Sequence, residues 1–407
     1  ARVAPDNSVG SQRIMVGSLH HEPPVELMTS SSPAQFAAGH LWYVADGVLM
    51  ARPFDPEELA FRGPAVPVAD GVSHSGWASW NGVRYFSVSP AGVIAYHTGP
   101  PDTRSQLTWY DRHGANLGTV GPPDNQYHVS LSPDGGRSAM QMVNPIDRTW
   151  GIWIYNLDTE HKYRFTPDNA ANAVPVWSPE GTRIAYSSLR TDTLEVFIRP
   201  TAGGESVRLS PNGLAGYGRD DVIAAFPLTW SADARGLVVG AYTDAGPIQL
   251  LAVPVGDAGE PFAIRPSNFD TDDAAISPDG RWLAYAALET GVREIYVTDY
   301  PAGRRRWQVS SGGGRRPEWN PQGGELFYLT PDNVLTAAEI LDRGEAVEVG
   351  EITPLFAVRT RKHLVAEPGE YAVAPDGERF LVNRLIEDRL DAPVALIVGW
   401  PEEVAPR

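Results

Sequence analysis

A tight turn of the Ser-Pro-Asp-Gly type, set between two short apolar runs, returns along the whole of this 407-residue chain and constrains its fold more than any other feature. The clearest copy is Val174–Ser188, VPVWSPEGTRIAYSS. It recurs as VSLSPDGGRSAMQM from Val129, AAISPDGRWLAYAA from Ala274, PEWNPQGGELFYLT from Pro317 and YAVAPDGERFLVNR from Tyr371. More degenerate copies are PLTWSADARGLVVGA from Pro227 and YFSVSPAGVIAYHT from Tyr85. The weakest is QFAAGHLWYVADGVLM from Gln35, whose turn has shrunk to Ala38-Gly39. In such a turn Pro presets φ, Asp bonds back to the backbone and Gly takes φ > 0, so two strands meet there in a hairpin. Eight copies, with second strands roughly 44–54 residues apart, match the period of propeller blades.

Each copy continues in the same way. After the second strand and a polar turn comes a third strand, such as Glu195–Arg199 (EVFIR) or Glu294–Thr298 (EIYVT), and then a short polar outer strand such as Ser206–Leu209. Four short strands make one blade, and a blade buries both faces only by stacking on its neighbours. Trp177, Trp230, Trp282 and Trp319 fall on the first two strands and are expected to be inter-blade core. The fold class is therefore all-β: a closed β-propeller of about eight four-stranded blades, or seven if the Gln35 copy is irregular. The expected organisation is a tail over 1–12, one propeller domain over 13–400 and a tail over 401–407. Neither end holds a complete blade, so Arg13–Thr29 is expected to pair with the blade that contains Tyr371–Asn383 and close the ring, with Val394–Trp400 as a further strand.

The net charge of −17 argues against nucleic acid, which needs a concentrated basic surface. One basic cluster, Arg304, Arg305, Arg306, Arg315 and Arg316, stands in acidic surroundings. Zero cysteines exclude disulfides, thiolate metal sites and cysteine nucleophiles. No apolar run approaches the ~20 residues that span a bilayer. The chain begins at Ala1 rather than Met, so an excised portion of a longer product is expected, tethered through an upstream region.

At these turns the sequence resembles the WD40-like repeat family of the periplasmic TolB protein, over about nine-tenths of its length. It is more similar still to the extracytoplasmic propeller behind the membrane span of some bacterial serine/threonine kinases. Leu41–Val72, Gln106–Gly121, Trp307–Leu329 and the ending VALIVGW carry that likeness. The resemblance implies a periplasmic or extracytoplasmic module that binds a protein or a cell-envelope component. The kinase is not in this chain, which has no Gly-rich loop and no HRD or DFG triplet.

For sites, Asp134, Asp279 and Asp376 belong to the turns. Tyr127, His128, Asn172, Asp272, Asp273, Arg315 and Arg316, with Glu370, stand where inner strands begin and are the candidate ligand-binding residues at the channel mouth. The loop Tyr217–Asp221 is a candidate rim, whereas His20, His21 and Glu22 resemble a metal cluster only superficially, because adjacent strand side chains diverge. No catalytic constellation assembles: GxSxG and HExxH are missing, and the chain is expected not to be an enzyme. No cofactor is predicted. Two alternatives remain: a Ca²⁺-dependent hydrolase or lactonase centred on Asp272, Asp273, Asn172 and Glu370, and a structural subunit of a membrane-associated assembly.

Overall fold

The computed structural model describes residues 12–17, 24–30, 32–45, 47–72, 85–98, 104–144, 149–168, 170–190, 193–209, 222–243, 246–256, 259–265, 267–360, 369–386 and 394–400. The described residues are all-β. Two compact units divide the chain: residues 1–103 with 387–407, and residues 104–386. The Gln35 and Tyr85 copies of the repeat fall in the first unit and the other six in the second.

In the larger unit six four-stranded sheets are described, each strand antiparallel to the next. Sheet II runs Gln126–Leu131, Arg137–Val143, Trp150–Asn156, Lys162–Arg164, and sheet III runs Asn172–Trp177, Arg183–Ser188, Glu195–Pro200, Val207–Arg208. Sheet IV runs Val222–Trp230, Gly236–Thr243, Gln249–Pro254, Phe262–Ala263. Sheet V runs Thr271–Ile276, Trp282–Ala287, Glu294–Asp299, Arg306–Gln308, and sheet VI runs Arg315–Trp319, Glu325–Leu329, Val334–Asp342, Val347–Ala357. Sheet I is composite. Its inner strands Tyr371–Val373 and Arg379–Leu385 come from the end of the unit, and its outer strands Ser105–Asp111 and Asn116–Asp124 from the beginning. The join is a full ladder, from Ser105↔Leu385 to Asp111↔Arg379.

This ladder corrects the expected closure. Arg379–Leu385 pairs with Ser105–Asp111 and not with Arg13–Thr29, because Gln12–Val16 and Val25–Ser30 form a hairpin with each other. Val394–Ile397 pairs in the first unit with Ile94–His97, which also takes Phe86–Val88. The first unit's other sheet carries the Gln35 copy, Gln35–Ala37, His40–Ala45 and Val48–Asp55 in order, and its core centres on Trp42, Leu49, Ile94 and Trp400.

Burial explains the strand sequences. Trp282–Ala287 is buried at every residue because a sheet covers it on each side, so it reads as a continuous apolar run. The outer strands, such as Lys162–Arg164, are part-exposed and polar. Every sheet shares an apolar core with the next: Ile154 with Trp177, Val196 with Leu237, Leu250 with Tyr285, Val297 with Trp319. Phe327 of sheet VI packs with Phe380 of sheet I, and Leu381 of sheet I with Met140 of sheet II.

The tryptophans sit in these interfaces as expected. The indole N–H groups of Trp177, Trp230 and Trp319 donate to Ser130 O, Val176 O and Ala275 O, each on the first strand of the preceding sheet. The turn aspartates are structural: Asp134 accepts from Gly136 N at 3.1 Å and Asp279 from Arg281 N at 3.1 Å. Gly181 (φ 70°) and Gly280 (φ 75°) take the left-handed conformation that closes the turn.

Candidate functional site

The first strands of the six sheets reach their turns in one register. Counting back from the turn-opening residues Ala374, Ser132, Ser178, Ser231, Ser277 and Asn320, the fourth position holds Glu370, His128, Val174, Pro227, Asp273 and Arg316. The second position holds Ala372, Ser130, Val176, Thr229, Ala275 and Glu318. A cavity of about 220 Å³ lies among these strands and is lined from all six sheets.

Only some of the residues named from the sequence line that cavity. His128, Asp273 and Arg316, all at the fourth position, line the cavity. Tyr127, Asp272 and Arg315, at the fifth position, Asn172, at the sixth, and Glu370, at the fourth, do not. Tyr127 packs on Trp150 with ring centroids 4.7 Å apart. The Asn172 amide donates to Asp168 Oδ1 at 2.7 Å and Ala170 O at 2.8 Å. Asp272 is ion-paired with Arg293 at 2.6 Å, and Arg315 with Glu370 at 3.0 Å. The loop Tyr217–Asp221 and the segment His20–Glu22 lie outside the described residues.

At three of the six fourth positions the backbone is strained. Val174, Asp273 and Arg316 have φ of 53°, 49° and 59°, and each falls where the pairing register of its strand shifts. A left-handed non-glycine residue costs about 1–3 kcal/mol and persists only where its surroundings hold it. Here neighbouring sheets do so. The Gln141 side chain accepts from Val174 N at 3.2 Å, Asp273 Oδ2 accepts from Arg316 N at 3.3 Å, and the Tyr371 hydroxyl donates to Arg316 O at 2.8 Å.

Charges in and around the cavity are mostly matched. Arg316 Nη1 pairs with Asp273 Oδ1 at 2.8 Å, both side chains being less than a tenth exposed. Burial, and then the charge of Asp273, raises the Asp272 carboxyl above its ordinary range, an effect that Arg293 offsets. Burial, with Asp272 and Asp273 nearby, pushes the Tyr242 phenol well up. Glu318 was not anticipated from the sequence. It lines the cavity, and burial pushes its carboxyl up to about 7, against a smaller opposing effect of Arg316. Among the described residues no group of three or more His, Asp and Glu gathers as a metal cage.

Comparisons with known proteins now bear on this geometry. No family model matches the chain. A TolB protein from Agrobacterium tumefaciens superposes with a TM-score of 0.53 at 15% identity, over 70% of this chain and 99% of that one. The chain carries a TolB-like propeller. By sequence it is 30% identical over 204 residues to the uncharacterized peptidase YuxL of Bacillus subtilis, covering 41% of this chain and 30% of that protein. It is also 30% identical over 124 residues to tricorn protease homolog 1 of Streptomyces coelicolor, covering 27% of this chain and 11% of that protein. The chain thus spans less than a third of the length of either. These relatives overturn the expectation of a non-enzyme: both are named for proteolysis. Among the described residues no helix is long and apolar enough to cross a membrane.

Proposed function

We propose that the residue 104–386 unit is a closed propeller of six blades that engages polypeptide substrate for a peptidase, with its axial cavity as the point of contact. The observation that carries the reading is the cavity, where a buried Asp273–Arg316 ion pair and the Glu318 carboxylate converge on one space. A site lined by polar groups on a rigid scaffold is what recognition requires, because its side chains are ordered before the ligand arrives. The peptidase names of the sequence relatives supply the substrate class. An extracytoplasmic setting, which the resemblance of the turns implies, suits a protein that meets unfolded chains outside the cytoplasm.

The test is binding of an unfolded polypeptide, such as casein, to the purified chain, alongside hydrolysis assays on fluorogenic peptides. Saturable binding that weakens at least tenfold in Glu318→Gln or Thr229→Leu, with melting curves retained, supports the reading. Polypeptide binding that neither cavity variant changes, or none at all, refutes it.

A further inference from the structure

The outermost strands of the described sheets are guarded against further pairing, with one exception. In the larger unit they carry charged side chains, as in Lys162–Arg164, Val207–Arg208 and Arg306–Gln308, or are as short as Phe262–Ala263. In the smaller unit Val66–Ala69 holds Pro67. Charge, proline and brevity keep a sheet edge from pairing with another chain. Val394–Ile397 (VALI) carries neither charge nor proline. It is the third strand of its sheet, paired on one side with Ile94–His97, whereas every sheet of the larger unit has a fourth. Among the described residues its other side meets no strand.

Alternate residues of an edge strand direct their N–H and C=O groups outward, so this side is a template for one more strand. The template is ordered in advance. Ile397 packs against the core of the smaller unit, and just beyond it Trp400 is buried against Trp42 with ring centroids 4.5 Å apart. The alternate side chains stand clear of that core: Val394, Leu396 and Val398 are 62%, 66% and 77% exposed. A strand laid along the edge brings its own alternate side chains beside Val394 and Leu396, and apolar pairs across strands are favourable. A rigid edge loses little freedom when it is covered.

We propose that Val394–Ile397 is a docking edge for an extended, apolar, uncharged segment of another polypeptide, which joins the sheet as its fourth strand. Main-chain hydrogen bonds supply the affinity, and Val394 and Leu396 select apolar residues at alternate positions. The available area decides against a second copy of this chain. Three exposed side chains and a strand of four residues fall far short of the ~800 Å² per partner of a stable interface. Charge points the same way: two copies at −17 each repel, and no charged residue from Val394 to Trp400 offsets that. The contact lies outside the axial cavity and does not depend on what that cavity binds.

The test is fluorescence anisotropy of a labelled seven-residue peptide of alternating valine and threonine, titrated with the chain. Saturable binding is expected. A fully N-methylated peptide, which keeps the side chains but not the main-chain donors, should bind at least tenfold more weakly, a readout that needs no protein variant. Serine in place of each valine should weaken binding by a similar factor. Leu396→Lys, at an exposed position, should also lose at least tenfold with its melting curve retained. Glu318→Gln, in the other unit, should bind the peptide as the parent does. No saturable binding, binding that survives N-methylation or Leu396→Lys, or binding lost in Glu318→Gln alone overturns the proposal. So does a dimer in sedimentation that Leu396→Lys abolishes, which would assign the edge to a second copy.

Discussion

Arg316 Nη1 stands 2.8 Å from Asp273 Oδ1, joining the first strands of two neighbouring sheets, and both residues hold a positive φ. Asp273 also accepts from Arg316 N through its other oxygen, so one carboxylate holds the partner's side chain and backbone together. The strained backbone and the buried charge pair are therefore coupled at these two residues.

Removing half of that pair should cost far more than removing all of it. Asp273→Ala strands a buried guanidinium and should destabilise by about 3–5 kcal/mol. Asp273→Ala combined with Arg316→Met should cost clearly less than the sum of the single changes. Urea denaturation of the four proteins measures the coupling, and additive costs would show that the pair is not a unit.

Glu318 makes stability depend on pH with a definite sign. Its carboxyl titrates near 7 in the folded chain against an ordinary value of 4.5. Below about 4.5 it is protonated in both states and its contribution is fully present. As pH rises through 7 the unfolded chain has already released a proton that the fold retained, and that contribution is lost. Glu318→Gln should match the parent near pH 4.5 and exceed it above pH 7, by about 3 kcal/mol at most. Denaturant midpoints at pH 4.5, 6 and 8 measure this, and a constant difference would contradict the burial argument.

The inter-sheet tryptophans should not respond alike to replacement. Trp230→Phe and Trp319→Phe each take the indole donor from a carbonyl of the neighbouring strand, costing about 1–3 kcal/mol beyond lost contact area, and Trp177→Phe costs less of this because Ser130 O also accepts from the Ser138 hydroxyl at 3.4 Å. Trp282 is equally buried, but its indole N–H has no acceptor among the described residues, so Trp282→Phe should lose contact area alone. Melting temperatures of the four variants test the ranking.

Ala234 occupies the turn position that glycine holds in the regular copies, with φ at 57°. Its β-carbon brings left-handed strain, opposed by a part-buried contact with the core between sheets III and IV. Ala234→Gly should stabilise the chain by about 1 kcal/mol, visible as a higher midpoint in urea. A lower midpoint would mean that the side chain packs more than its position suggests.

The cavity shows how far the sequence reaches into the site. His128, Asp273 and Arg316 were legible because each stands near the start of an inner strand. Tyr127, Asp272 and Arg315 are their immediate neighbours and were chosen with them, yet they do not line it. Counting from the turn instead of from the apparent strand start would have separated the two sets, and it would have found Glu318 two residues further on. The register shifts at Ala173/Val176, Asp272/Ala275 and Arg315/Glu318 obscure that count in a sequence read by simple alternation.

Turn chemistry and strand character act between residues close in the chain, so the sequence by itself determined the all-β class, the repeated blade, the structural turn aspartates and the interfacial tryptophans. Which strand completes sheet I was decided only in three dimensions. Arg379–Leu385 could pair with any strand of suitable pattern, and the ladder to Ser105–Asp111 wins where Leu107, Leu381, Val129 and Met140 bury one another. The same holds for Glu318: a glutamate in an apolar strand has an ordinary sequence neighbourhood, and only the approach of first strands from separate sheets places it on the lining of a shared cavity. Contacts between residues far apart in the chain depend on closure, which no local preference encodes.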